Sequence, residues 1–103
     1  FGPVVSVIRA SDSEHALRLA NDSTFGLAAA LITNDLQKAF DLSLRLESGM
    51  VHVNNCSAYD EPNVPFGGIK DSGFGREGGH YSMEEMTELK WITVQLGQRK
   101  FPF

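Results

Sequence analysis

Apolar positions fall into short blocks separated by polar and glycine-rich turns, and the period changes from block to block. Pro3-Val4-Val5-Ser6-Val7-Ile8 is β-branched and apolar with one polar interruption, which predicts a mostly buried strand. Ser11-Asp12-Ser13-Glu14 reads as a capping box, Ser11 at the N-cap and Glu14 at N3. The helix it opens carries Ala16, Leu17, Leu19 and Ala20 on its apolar side and stops near Asn21 and Asp22. Phe25-Gly26 predicts a turn into the apolar run Leu27 to Ile32. Ala and Leu favour helix, but the brevity of that run, between Gly26 and Thr33-Asn34, predicts a buried strand of small side chains. Asn34 is then the expected cap of a second helix, with Leu36, Ala39, Phe40 and Leu44 at helical spacing and Gly49 ending it. Met50-Val51-His52-Val53 follows as a third strand.

This order is β-α-β-α-β with short connections, an α/β class segment expected to pair its strands in parallel through right-handed crossovers. Residues 54 to 80 carry no periodic signal, and so long an irregular stretch in a small domain is usually functional. Ser82-Met83-Glu84-Glu85 reads as another capping box, opening a short helix to about Leu89. Trp91-Ile92-Thr93-Val94-Gln95 alternates and predicts a strand. The natural division is residues 1–89 as one body and 90–103 as a strand-bearing arm and tail.

Composition narrows the function. A net charge of −4, with nine Lys and Arg scattered along 103 residues, offers no basic patch for nucleic acid. The longest apolar run is too short to cross a bilayer. The single cysteine, Cys56, suits a reducing compartment, and the cytoplasm is the expected location. His52 alternates with Val51 and Val53 and reads as a half-buried structural histidine, while His15 and His80 have no Asp, Glu or Cys at metal-ligand spacing, so no metal is expected. The chain begins on Phe1-Gly2-Pro3 without an initiator methionine and is expected to be a piece of a longer protein.

The segment Pro65 to Gly79, "PFGGIKDSGFGREGG", has six glycines in fifteen positions. Gly73-Phe74-Gly75-Arg76-Glu77-Gly78 matches the G-x-G-x-x-G dinucleotide pattern letter for letter. That pattern works when the glycines join a strand directly to a helix whose N-terminus meets the pyrophosphate, with an acid about twenty residues on for the ribose. Here the preceding Gly67 to Ser72 reads as loop, the region twenty residues on holds no Asp or Glu, and Asp71 and Glu77 would set negative charge beside the phosphates. A small nucleotide-binding domain is therefore disfavoured.

The same segment, as Pro65-Phe66-Gly67-Gly68-x-Lys70-x-Ser72-Gly73-x-Gly75-Arg76-Glu77, resembles the C-terminal signature of the NAD(P)-dependent aldehyde dehydrogenases. Phe1-Gly2-Pro3-Val4, "NDSTFGL" from Asn21 and "GMVHVN" from Gly49 resemble further motifs of that family, in its order, up to about Gln95. Asp60-Glu61-Pro62, Glu88 to Gln95 and the basic-aromatic end Arg99 to Phe103 resemble the aromatic members most, of the benzaldehyde, vanillin or salicylaldehyde type.

The resemblance implies the C-terminal part of an aldehyde dehydrogenase catalytic domain. Its reaction oxidises an aldehyde, here an aromatic one, to the carboxylic acid with NAD or NADP through a cysteine thiolate adduct. The nucleophile, the main general base and the cofactor domain would lie upstream of Phe1, so the chain alone is expected to be inactive. Phe1 matches the phenylalanine beside the nicotinamide, and Phe66 a substrate-pocket aromatic. Ser57, Ala58, Tyr59 and Asp60 correspond to the loop that shapes the rest of the pocket. Glu77 matches a secondary carboxylate, Lys70 and Ser72 match positions that fix the loop, and Trp91, Ile92, Thr93, Val94 and Gln95 resemble a strand joining a partner subunit in a homodimer or homotetramer. Cys56, far from the family's nucleophile position, is expected to be a bystander near the pocket. The competing readings are a non-enzymatic oligomerisation or interaction module, and an aliphatic or semialdehyde dehydrogenase.

Overall fold

The structure, a computed structural model, describes residues 2–102. In chain order it contains α1 (Ser13–Asn21), β1 (Phe25–Gly26), β2 (Ala28–Leu31), α2 (Leu36–Arg45), β3 (Met50–Val53), β4 (Ile69–Lys70) and α3 (Gly79–Glu85). β2 and β3 pair in parallel, from Ala28 opposite Met50 to Leu31 opposite Val53, with α2 as the crossover. β1 pairs antiparallel with β4, so the glycine-rich segment returns to the turn that precedes β2.

Both long helices start one residue later than the sequence suggests. The Asp12 carboxylate caps α1 by accepting from the His15 amide at 2.7 Å, and Ser11 donates its hydroxyl to that carboxylate. The Asp35 carboxylate caps α2 by accepting from the Lys38 amide at 3.0 Å, so Asn34 is not the cap. In each case two good capping residues are adjacent, and the aspartate fits the required reach. The end of α2 is closed by the Leu46 amide donating to the Leu42 carbonyl, before Gly49 is reached.

The helices are tied to each other at the same end. Arg45 donates to the Glu14 carboxylate at 2.8 Å and to Asp41 at 2.9 Å. Asn21 donates to the Arg45 carbonyl and accepts from the Glu47 amide, both at 2.9 Å. Inside this frame Leu17, Ala39 and Leu42 are buried, and they are the buried hydrophobic side chains among the described residues.

Three expected elements differ. Residues 3–8 are exposed and pair with no strand of the described residues, with Val4 90% and Val7 91% accessible. Residues 91–95 are likewise unpaired and exposed, Trp91 at 90%. Their apolar patterns are strand-like, but a strand exists only through its ladder, and neither segment pairs with a strand among the described residues. The third helix is capped at Gly78, not Ser82, and runs from Gly79 to Glu85, short of Leu89. Ser82 instead sits inside α3 and accepts from the Gly78 amide at 2.9 Å. With both ends extended, the radius of gyration is 21.4 Å, against about 13 Å for a compact chain of this length.

Candidate functional site

The glycine-rich segment is a closed loop rather than an open one. Phe66 and Glu77 exchange both backbone hydrogen bonds at 2.8 Å as an antiparallel bridge. The chain between them is fastened at three points. The Gly26 amide donates to Ser72 Oγ at 2.9 Å. The Arg76 guanidinium spans the loop, donating to the carbonyls of Gly68 (2.8 Å) and Gly75 (2.6 Å). Lys70 takes a positive φ of 55° at the corner, and its Nζ donates to the carbonyls of Asn21 (2.8 Å) and Ser23 (3.1 Å) while lying 2.7 Å from the Glu47 carboxylate.

Two glycines show why side chains are excluded. A Cβ on Gly49 would lie 2.0 Å from the Gly67 carbonyl oxygen, because the entry to β3 packs backbone to backbone against the loop. A Cβ on Gly78, which also holds φ at +98°, would lie 2.2 Å from the Val64 carbonyl oxygen.

The nucleotide pattern meets a partly different context from the one expected. Ile69–Lys70 is a strand, and Gly78 does lead directly into a helix. The donors that would face a pyrophosphate are nevertheless taken by the chain itself. The Arg76 amide donates to the Glu85 carboxylate, the Gly78 amide to Ser82, and the Gly79 amide to the Pro62 carbonyl. The Glu85 carboxylate lies against Gly75, where a Cβ would meet it at 3.0 Å. A carboxylate in that place repels a phosphate instead of leaving room for one. The described residues therefore do not fit the phosphates of a dinucleotide.

A cleft of about 320 Å³ opens on the loop, walled by Phe66, Ser72, Phe74, Arg76, Glu77 and Glu85. The Phe66 ring is half-buried, whereas Glu77 is exposed. An aromatic wall beside a solvent-connected carboxylate can hold a flat apolar group and exchange a proton with water.

A second cavity, about 340 Å³, lies along β3 between Met50, His52, Tyr59, Glu61, Val64 and Pro65. Tyr59 closes it, with its ring edge-to-face on His52 at 5.9 Å and 77°. The Tyr59 hydroxyl donates to the Glu61 carboxylate, and that bond with the adjacent negative charge raises the phenol above its usual range. Ser57, Ala58 and Asp60 are exposed and line neither cavity.

The structure thus joins Phe66 to Glu77, places Tyr59 at a neighbouring cavity, and leaves Trp91 to Gln95 apart from both. Phe1 lies outside the described residues. Cys56 is exposed. Among the described residues no group of three His, Cys, Asp or Glu could hold a metal, and no helix is long and apolar enough to cross a membrane. The sequence patterns give no role to Arg76 or Asn21, and Glu85, expected to close a capping box with Ser82, instead accepts from the Arg76 amide. Their contacts are to backbone atoms 8 to 26 residues away in the chain, or, for Glu85, nine, and no periodic pattern announces such contacts.

The model of the family described as "Aldehyde dehydrogenase family" matches residues 1–92. A vanillin dehydrogenase of Pseudomonas sp. (strain HR199 / DSM 7063) is 47% identical, covering 99% of this chain and 21% of its own length. A benzaldehyde dehydrogenase of Bacillus subtilis (strain 168) is 48% identical over all of this chain and 21% of its own. In three dimensions, a salicylaldehyde dehydrogenase from Pseudomonas putida G7, solved with salicylaldehyde, matches with a TM-score of 0.92 at 38% identity over 100% of this chain and 21% of that one. A Mycobacterium tuberculosis aldehyde dehydrogenase solved with NAD+ matches with a TM-score of 0.85 at 35% identity over 96% of this chain and 20% of that one. The chain spans about a fifth of the length of these relatives.

Proposed function

Because the chain belongs to the aldehyde dehydrogenase family, we propose that it is the carboxyl-terminal part of the catalytic unit of an enzyme oxidising an aromatic aldehyde to its carboxylic acid, with NAD or NADP as oxidant. Aldehyde, water and the oxidised cofactor give acid, reduced cofactor and a proton, so two electrons leave the carbonyl carbon as hydride. The cofactor supplies the hydride acceptor. Its phosphates find no place among the described residues, so they are bound outside them; Phe1 is the residue assigned beside the nicotinamide.

The observation that carries the reading is the Phe66–Glu77 bridge. It fixes an aromatic side chain and a carboxylate on adjacent strands of one rigid loop, facing one cleft. In this reading Phe66 packs against the aldehyde's ring, and Tyr59 borders the substrate from the neighbouring cavity along β3, with the exposed Ser57, Ala58 and Asp60 of the same loop at the substrate's approach. Glu77, exposed to water, passes the released proton to solvent. Lys70 and Ser72 keep the loop in register against β1. The aromatic preference is supported by the vanillin and benzaldehyde dehydrogenases among the relatives.

Residues 1–89 belong to the catalytic unit, and 90–103 form the arm. The exposed apolar run from Trp91 to Leu96 adds a strand to a second copy of the enzyme in a cytoplasmic dimer or tetramer. The test is reduced-cofactor formation by the full-length enzyme across aromatic, aliphatic and semialdehyde substrates, with NAD+ and NADP+ in parallel. Turnover best with aromatic aldehydes is expected, and none from the 103-residue chain alone. No aldehyde-dependent signal from the full-length protein overturns the proposal.

A further inference from the structure

We propose that His52 is a positioning residue, setting where Tyr59 stands and through it how well the enzyme holds an aromatic ring. The inference rests on the placement of Tyr59 at the substrate given above.

Residues 54 to 63 run without secondary structure and are exposed throughout. The stretch is tied at its ends, where the Asn54 amide donates to the Leu31 carbonyl and the Gly79 amide donates to the Pro62 carbonyl, and between those ties Tyr59 is held at both its ring and its hydroxyl. Its ring stands edge-to-face on His52 of β3, and its hydroxyl is held by Glu61 two residues on. The Glu61 contact is local and travels with the loop. The His52 contact joins the Tyr59 ring to the sheet, where β2 holds His52 in register opposite Ala30. Between the two end ties, where the Tyr59 ring stands therefore depends on the His52 ring.

The chemistry at His52 sharpens the claim. Its Nε2 is buried and has no hydrogen-bond partner among the described residues. A histidine kept for acid–base or polar work would engage that atom, and leaving it unpaired is a cost. What the ring supplies here is a flat aromatic face of the right size. Phenylalanine should therefore replace it, and alanine should not.

The experiment uses the full-length enzyme with His52→Ala, His52→Phe and Tyr59→Leu. His52→Ala is expected to raise KM for benzaldehyde about two- to tenfold, the range of one edge-to-face pair, with kcat within about twofold. His52→Phe should return KM to near the wild-type value. A short aliphatic aldehyde, with no ring to hold, should show no change in either. Tyr59→Leu should mimic His52→Ala, and the double variant should be no worse than the worse single one. Equal losses for aromatic and aliphatic substrates, failure of phenylalanine to rescue, or additive effects of the two sites would overturn the inference.

Limited proteolysis gives a second readout that needs no turnover. Cleavage within residues 54–63 should speed up in His52→Ala and not in His52→Phe, and equal cleavage of all three proteins would overturn the inference. Wild-type enzyme without aldehyde oxidation would instead count against the proposed function, leaving the proteolysis comparison to decide the role of His52.

Discussion

Replacing Gly78 with alanine should damage the loop far more than replacing Gly73, although both glycines have positive φ. The new methyl at position 78 would lie 2.2 Å from the Val64 carbonyl oxygen, with φ at +98°. At Gly73, with φ at +123°, a Cβ meets nothing within 4 Å. Both variants bear backbone strain of about 1–3 kcal/mol. Only Gly78→Ala adds a steric conflict, about 1–3 kcal/mol more by the scale of overpacked interiors. The conflict cannot be relieved by rotating a side chain, because the obstacle is backbone. Moving Val64 away pulls on Phe66, two residues along, whose paired bonds to Glu77 are 2.8 Å each. Losing both costs roughly another 1–3 kcal/mol. The expected total is about 3–9 kcal/mol for Gly78→Ala and about 1–3 kcal/mol for Gly73→Ala. The assay is the half-life of thermal inactivation of the full-length enzyme, together with kcat/KM for benzaldehyde. Gly78→Ala should inactivate much faster and lose at least about tenfold in kcat/KM, with Gly73→Ala between it and wild type. Equal behaviour of the two variants would refute the reasoning, since they differ chiefly in the obstacle.

Lys70→Met should cost about 1–3 kcal/mol of stability, read as a lower inactivation temperature, because the Asn21 and Ser23 carbonyls lose their shared donor. Asp35→Ala should cost about 1 kcal/mol through the lost α2 cap, and Asn34→Ala clearly less, in the same measurement. The Glu14 carboxyl is held below its usual value of 4.5 by its hydrogen bonds to Arg45. A depressed carboxyl contributes stability above the unfolded-state pKa and loses it as pH falls through the folded one. Glu14→Gln should thus reduce stability at neutral pH and narrow its gap to wild type below about pH 4.5, seen in acid denaturation followed by circular dichroism. The isolated 103-residue chain, with Trp91, Ile92, Val94 and Leu96 exposed, should self-associate by static light scattering; a monomer at high concentration would contradict that.

Local patterns in the sequence place the centre of the fold well, whereas its two ends stand apart from the strands of the described residues. The short alanine-rich run was correctly resolved as a strand because Gly26 and Thr33 left it no room for a helix, and β2 duly pairs in parallel with β3. Residues 3–8 and 91–95 show equally good strand patterns but no ladder, since alternation reports which faces want burial and says nothing about where a partner lies. The expected N-cap lies one residue early where serine or asparagine precedes aspartate, and four residues late at α3, whose N-cap Gly78 has no capping side chain to read. The loop looked structureless because its order comes from Arg76, Lys70 and Ser72 reaching backbone atoms of distant segments. Its letters still pointed to the right family, because glycines required by close backbone approach must recur at fixed places.

The most direct test of the account is the ratio of kcat/KM for benzaldehyde to that for a short aliphatic aldehyde, in the full-length enzyme and its Phe66→Ala variant. If Phe66 walls the cleft against an aromatic ring, wild type should prefer benzaldehyde and Phe66→Ala should cut that preference about tenfold or more, by weakening benzaldehyde turnover alone. A preference unchanged by the substitution, or a uniform loss for both substrates, would contradict the assignment of this loop to the recognition of an aromatic aldehyde.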